Sequence, residues 1–534
     1  MIGFGRTACD EGVMRAGRES APCAERSRPW VLTATILGSA LGFIDSTVVN
    51  VALPAIQADL GASIEGAQWV VNGYMLMLGA LTLVGGAAAD RFGRRRVFAA
   101  GVVVFTAASV ACGLAPSAGA LIAARLVQGV GGALLVPASL AIISAAFPEE
   151  TRGKAIGTWA GFSALTTALG PILGGFLVDA FSWRAIFFIN VPLAAVTLAI
   201  AFAHVPESRD DTAAGLDWGG GLLATVGLAA LAYGLTAAAQ RRWGDAAVLG
   251  ALIAAALALA AVVWWEARAP APMLPLGLFR SPIFTGANLL TLLLYFALGG
   301  ALFFLPFNLI HVQGYSATQA GAAFLPMTLI MGTLSRWSGG LIDRTGAKLP
   351  LTIGPVIAAA GFALLALPGI GGSYWTTFFP ATAVLGLGMT ITAAPLTTVV
   401  MDSVDQRHAG TASGVNNAVA RIAGTLAVAV LGTVAVGLFG AALAERLDGL
   451  GVPPDVRASL LAQASRLVEA QVPRVDEATR HLLEQTVNDA FVHTLRVVML
   501  VCAALALASA LCAALTPAGH AAKQNSLSTN KTSS

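Results

Sequence analysis

Two charged residues stand deep inside apolar runs of this sequence. Asp45 lies in Leu41-Gly42-Phe43-Ile44-Asp45-Ser46-Thr47-Val48-Val49, and Arg125 lies in Leu121-Ile122-Ala123-Ala124-Arg125-Leu126-Val127-Gln128-Gly129. A carboxylate among apolar neighbours is a proton-binding group, because burial disfavours its ionised form while an adjacent guanidinium favours it. If both runs are membrane helices, Asp45 lies about 15 residues, or roughly 22 Å, from the inner end of its helix. Arg125 lies about six or seven residues, or about 10 Å, from the outer end of its own, so the two share nearly one depth. A lone charge there costs at least about 2.5 to 3.5 kcal/mol, and the two should pair or face water. Asp45 is therefore expected to bind a coupling proton whose affinity Arg125 sets; the alternative is that the pair only pins two helices together.

Arg421 is a third intramembrane charge, with no acidic residue in its own apolar run. It reads either as a contact for an acidic or carbonyl group of a substrate or as a helix contact through Asn416 and Asn417. With Asn72, Tyr74, Phe162, Tyr295 and Asn308 it forms a candidate cavity lining, mostly apolar with a few hydrogen-bonding groups, which suits a bulky amphiphile better than a sugar. Asp45, the only clear acidic group at depth, is compatible with lipophilic cations. No Walker loop, nucleophile elbow or zinc-ligand cluster occurs, the six histidines are scattered and no CxxC pair is present. Neither an enzyme nor an ATP-driven pump is expected, nor any metal or cofactor; the energy source would be a proton gradient.

The elements that must position these residues follow from composition. A chain with 57% hydrophobic and 11% charged residues and a mean hydropathy of +0.77 reads as an all-α integral membrane protein. Apolar stretches of spanning length are placed near residues 31–54, 67–89, 97–115, 119–146, 155–180, 184–204, 216–238, 246–266, 283–310, 318–342, 349–369, 375–400, 409–440 and 490–516. Lys and Arg cluster before the first span, after the second (Arg91, Arg94, Arg95, Arg96) and in later loops on that side (Arg152, Lys154, Arg280, Arg344, Lys348, Arg407). By the positive-inside rule both termini are cytoplasmic, with Arg241 and Arg242 running against it. The basic residues are spread over loops, which reflects topology and not nucleic-acid binding.

The loop Gly86-Ala87-Ala88-Ala89-Asp90-Arg91-Phe92-Gly93-Arg94 recurs half a chain later as Gly339-Gly340-Leu341-Ile342-Asp343-Arg344-Thr345-Gly346-Ala347. The opening of the fifth span at Gly153 to Gly157 likewise returns at Gly410 to Gly414. Spans one to six therefore overlie spans nine to fourteen, and such repeats meet at a midplane cavity that each half exposes alternately. The expected organisation is an N-terminal tail (1–29), a six-helix bundle (30–204), two inserted helices with linkers (205–282), a second six-helix bundle (283–516) with an outer loop at 441–489, and a disordered cytoplasmic tail (517–534). The loop carboxylates Asp90 and Asp343 are expected to act as gates: with the inner side closed, Asp90 would cap the thirteenth span near Ala409 and Asp343 would meet the fifth near Arg152. Gly170-Pro171-Ile172-Leu173-Gly174-Gly175 must bend its helix or admit a close neighbour. In the outer loop, 455–469 and 476–491 read as two amphipathic pieces around Pro473.

These features together resemble the fourteen-helix drug:proton antiporters of the major facilitator superfamily, over nearly all of residues 30 to 516. The two loops are similar to that superfamily's loop signature. Asp45 through Pro54 is similar to the first-helix signature of the fourteen-helix branch. Leu121, Arg125, Gln128, Gly129, Gly131 and Gly132 match the helix 4 motif of proton-coupled members. Gly157, Gly170, Pro171, Gly174 and Gly175 look like the helix 5 motif of antiporters, with Thr166 where glycine is usual. The resemblance implies the major facilitator fold and multidrug efflux. It also implies a multi-pass location in the inner membrane, amphiphilic small molecules, protons and lipid as partners, and a monomer. A proton-coupled importer or a dedicated metabolite exporter of the same fold is the alternative.

Overall fold

The computed structural model describes residues 27–209, 217–238, 241, 243–270, 272, 274–339, 341, 345–404, 409–472 and 475–515. The tails expected at 1–29 and 517–534 therefore lie almost entirely outside the described residues. Fourteen helices are long and apolar enough to cross a membrane. They are α1 Arg28–Leu60, α2 Ile64–Phe92, α3 Arg94–Gly113, α4 Ala118–Ala146 and α5 Glu149–Ala180. Next come α6 Ala185–His204, α7 Trp218–Ala238, α8 Ala246–Glu266 and α9 Pro282–Val312, the last ending in a π-turn at Asn308–Val312. α10 runs as Ala317–Ala322 continued by Leu325–Gly339; α11 is Lys348–Leu365, α12 Tyr374–Asp402, α13 Ala409–Asp448 and α14 Glu477–Leu515.

Local chemistry sets the helix starts. Ser63, Ser117 and Ser281 accept from backbone N–H groups in the first turns of α2, α4 and α9, and Ser316 with Gln319 forms a capping box on α10. α1 ends where Gly61 takes a left-handed φ of 61°, as a C-terminal glycine does.

The two halves pack by one pattern. α2 and α3 lie on α4 as α10 and α11 lie on α12, and α1 lies on α5 and α6 as α9 lies on α13 and α14. The halves meet through two equivalent seams, α2 with α13 and α5 with α10. α7 and α8 form a hairpin whose α7 touches both α2 and α13.

The α2–α3 loop defines a basic face, and the α1–α2 turn lies on the distal face. On the distal side one apolar core joins the halves, running from Val48, Val49, Ala52 and Ile56 of α1 to Phe303, Phe304 and Phe307 of α9. On the basic side the N-terminal half keeps cores of its own, around Phe98 and Phe105 and around Ile143 and Trp159. The core that joins the halves is thus densest on the distal side, while the N-terminal half carries separate cores toward the basic side.

The distal loop differs from the sequence expectation. α13 continues to Asp448 and α14 starts at Glu477, so the segment read as a second amphipathic piece is the beginning of α14. Between them lie a short helix, Pro454–Ala462, and a 3-10 turn, Ala464–Glu469. The loop is tied down where Glu469 Oε1 lies 3.1 Å from His311 Nε2 of α9.

Candidate functional site

α1 and α4 bring Asp45 and Arg125 into direct contact in the interior. Asp45 is 0% and Arg125 1% exposed. Arg125 Nη1 donates to Asp45 Oδ2, and Gln128 Nε2 donates to Asp45 Oδ1 at 2.8 Å. The guanidinium is held on its other sides as well: Nε donates to the Val70 carbonyl at 2.9 Å and Nη1 to Gln128 Oε1 at 2.8 Å. Its carbon sits 4.3 Å from the Tyr74 ring centroid, and the Tyr74 hydroxyl donates to the Gly42 carbonyl at 3.1 Å. The carboxylate is thus caged by one cation and one amide, and Arg125 bonds to α1, α2 and its own helix α4.

Gln128 is the site residue that the search for intramembrane charges passes over. An uncharged amide leaves no mark on a hydropathy scan. Its spacing carries the signal, because three residues place it on the same face of α4 as Arg125.

The glycines of α5 sit at its contacts with two other helices. A Cβ on Gly170 would strike Thr47 and one on Gly174 would strike Val48, both on α1. One on Gly175 would strike the Ala317 carbonyl of α10, and Gly321 of α10 is pressed against the Pro171 carbonyl. Thr47 Oγ1 donates to the Thr167 carbonyl at 3.1 Å. Thr166 bonds back to Phe162 and Ser163 of its own helix. Gly157 lies near the start of α5, where the surroundings fall outside the described side chains.

At the distal end of this seam Asp179 accepts from the N–H groups of Ala317 (3.2 Å) and Thr318 (2.8 Å), and from the Thr318 hydroxyl. A carboxylate on one half thereby caps the first turn of a helix on the other. That is the device expected of Asp90, found on the opposite face.

Asp90 itself is engaged by Arg94, whose Nε and Nη2 donate at 2.9 and 2.8 Å, and among the described residues it has no contact with α13. The basic loop is bound to the segment after α6. Glu207 accepts from the Arg95 N–H at 3.2 Å and lies 3.5 Å from Arg96 Nε, while Arg95 Nη1 donates to the Val205 carbonyl at 3.0 Å. Gly93 adopts φ 107°, a backbone that favours glycine, and a Cβ there would come 2.6 Å from Glu207 Oε1. Gly86 packs near Pro137, and Arg91 is in the last turn of α2. In the second copy Gly346 has φ 74° and Gly339 ends its helix, while Asp343 and Arg344 lie outside the described residues.

The six candidate cavity residues are not one surface. Tyr74 is fully buried under Arg125 and belongs to the charge site. Asn72 is fully buried on α2 and, like Gln68 one turn away, has no hydrogen-bond partner for its side chain among the described residues. Asn308 is buried in the π-turn at the distal end of α9, where Gln313 donates to it at 3.4 Å, away from any midplane space. Phe162 is 48% exposed and shares its α5 face with Leu165, Leu169 and Phe176, opposite the faces that meet α1 and α10. A residue list taken from apolar runs carries no helix azimuth, which is why these four scatter. Tyr295 is partly buried on α9. Arg421 is partly buried on α13, its Cβ beside Gly79 of α2. A separate apolar groove of about 620 Å³, lined by Tyr315, Leu325, Pro326, Leu329, Tyr374, Trp375 and Phe379, shares no residue with the charge site.

Comparison with known proteins agrees with this arrangement. The model of the Major Facilitator Superfamily matches residues 35–428. The multidrug resistance protein Stp of Mycobacterium tuberculosis is 36% identical over 84% of this chain and 83% of its own. The tetracenomycin C resistance and export protein of Streptomyces glaucescens is 34% identical over 92% of each, and the cephamycin export protein CmcT of Amycolatopsis lactamdurans is 36% identical over 75% of this chain and 84% of its own. Among solved structures, a bacterial homologue of the lysosomal transporter Spinster in an inward-facing, occupied conformation superposes with a TM-score of 0.61. It covers 92% of this chain and 98% of its own at 19% identity. The chain is a multi-pass membrane transporter with a caged intramembrane carboxylate, and it belongs to the major facilitator superfamily.

Proposed function

We propose that this protein is a proton-coupled antiporter that exports amphiphilic small molecules, such as drugs, antibiotics or related metabolites, across the cytoplasmic membrane by alternating access. The observation that carries the reading is Asp45, a carboxylate with no exposure that, among the described residues, is held by Arg125 and Gln128. Proteins named for drug resistance and export are its relatives. The basic face is cytoplasmic, by its arginines. In this reading the Asp45–Arg125 pair belongs to the cytoplasm-facing state, after Asp45 has released its coupling proton.

In this reading, protonation of Asp45 from the outside removes the charge that holds α1 to α4. Arg125 keeps its bonds to the Val70 carbonyl and Gln128, so α1 becomes the freer partner. α1 bears on α5 through Thr47 and Val48, next to Gly170 and Gly174. A small shift of α1 is thereby delivered to the helix that crosses the seam with α10. The driving force enters at one carboxylate and leaves as a change in how the halves meet.

The test is export of a panel of fluorescent amphiphiles from energised cells expressing wild type or Asp45→Asn, with and without a protonophore. Export that needs both the gradient and Asp45 is expected; normal gradient-driven export by the variant would refute the role of Asp45. A narrow exporter of one metabolite is the second reading, favoured by relatives named for single antibiotics such as tetracenomycin C, puromycin and methylenomycin A. It predicts that most of the panel stays inside the cell.

A further inference from the structure

We propose that Arg421 is the recognition group for an anionic moiety of the substrate, so that the transported class is acidic amphiphiles, carrying a carboxylate or an ionised phenol or enol. This rests on the export reading above and adds the charge of the cargo.

Three observations carry it. First, Asp45, the carboxylate buried at depth in the N-terminal half, is already used, since both its oxygens are engaged by Arg125 and Gln128 and the group has no exposure. A cationic substrate finds no free anion at that depth. Second, Arg421 is a cation whose guanidinium has no carboxylate or carbonyl partner among the described residues. An intramembrane cation is costly and is kept where it pairs or acts. Asp45 and Arg125 cancel, which leaves the charge of Arg421 for a mobile partner.

Third, its place is right for a ligand. Gly432 and Gly414 mark the face of α13 that meets α2, and Asn416, bonded to Asn288 and Thr291, marks the face that meets α9. Arg421, two turns after Gly414, lies on the α2 side of α13, within about one turn of Asn417, which is exposed, and of Gly424, beside which a Cβ would find open space. Its stem fits there because Gly79 of α2 has no side chain: a Cβ at that position would come 3.3 Å from Arg421 Cβ.

The arrangement separates proton from cargo. Proton and substrate therefore sit on different groups, one on each half, and are coupled through the conformational change and not by competition for one carboxylate.

The experiment is binding of 1-pyrenebutyrate and 1-pyrenebutylamine, amphiphiles of one shape and opposite charge, to the full-length protein in lipid nanodiscs, with empty nanodiscs subtracted. Wild type should prefer the carboxylate. Arg421→Gln should lower that preference by about tenfold or more, the scale of a charged hydrogen bond. Arg421→Lys, which keeps the charge, should retain most of it and controls for folding. Equal binding of the two probes, binding of neither, or a preference unmoved in Arg421→Gln would overturn the inference. Asp45-dependent export alongside that result would leave the antiporter reading standing. Export independent of Asp45 would remove that reading whatever the probes show.

Discussion

Removing the Asp179 carboxylate should open the distal side. Asp179 holds the first turn of α10 through two backbone N–H groups and one hydroxyl, and it sits on the other half of the molecule. An N-terminal cap of this kind contributes about 0.5 to 2 kcal/mol. Asp179 is exposed, so screening puts the value near the lower half of that range, about 1 kcal/mol. Because the contact exists only while the halves touch distally, Asp179→Ala should shift the equilibrium toward the distally open state by about fivefold. Spin labels at Leu114→Cys and Leu367→Cys, exposed positions on the distal ends of the two halves, on a cysteine-free background, would report this as a longer-distance population by pulsed electron resonance. Asp179→Asn, which keeps an acceptor oxygen and loses the charge, should fall between. An unchanged distance distribution in Asp179→Ala would mean that the apolar closure around Phe303, Phe304 and Phe307 holds the distal side without the cap.

Two more outcomes follow from the same geometry. Gly175→Ala sets a methyl group against the Ala317 carbonyl, a backbone atom that cannot rotate away, so the variant should fold, show the same longer distances and lose export. Wild-type export would show that α5 and α10 need not approach this closely. Gln128→Leu removes a 2.8 Å donor to Asp45; a hydrogen bond to a charged group contributes about 1.5 to 3 kcal/mol, so proton-driven export should fall about tenfold or more, and unchanged export would reduce Gln128 to packing.

Charge in an apolar run is the signal that survives translation from sequence to structure. Asp45 and Arg125 stand out because their cost at depth demands a partner, and depth counted from helix ends was enough to bring them together. The number of membrane helices was legible for the same reason, since twenty apolar residues have few other uses. The ends of α13 and α14 were not, because residues 441–448 and 477–489 are amphipathic and a hydropathy window stops where charges begin, although the helix does not. Asn308 falls at the distal end of α9 because apolar length alone does not fix where a span's midplane lies, and the exposed face of Phe162 was not legible because polarity gives no azimuth. Asp179 was invisible for a different reason: a carboxylate at a helix end is ordinary, and only the fold brings the start of α10 beneath it.

The duplication accounts for two seams but not for their difference. The α2–α13 seam carries an extra helix that the α5–α10 seam lacks. α7 is held near its first turn by α2, where Gly221 lies against Val84, and near its last turn by α13, where Thr433 donates to the Leu235 carbonyl. It therefore bridges the two halves, packing on α2 toward the basic side and bonding to α13 toward the distal side. Rocking of the halves brings their basic ends together and parts their distal ends. A helix bound to only one half would follow that half, and one bound to both at the same level would resist the motion. Between its ends Leu228 packs with Leu76 and Ala80 of α2 and Ile422 of α13, an apolar surface along which α7 would slide in the proposed cycle. The α5–α10 seam, bridged by Asp179 and close-packed at Gly175 and Gly321, has no such inserted helix, and in the alternating-access cycle proposed above its Asp179 contact is the polar one that would break.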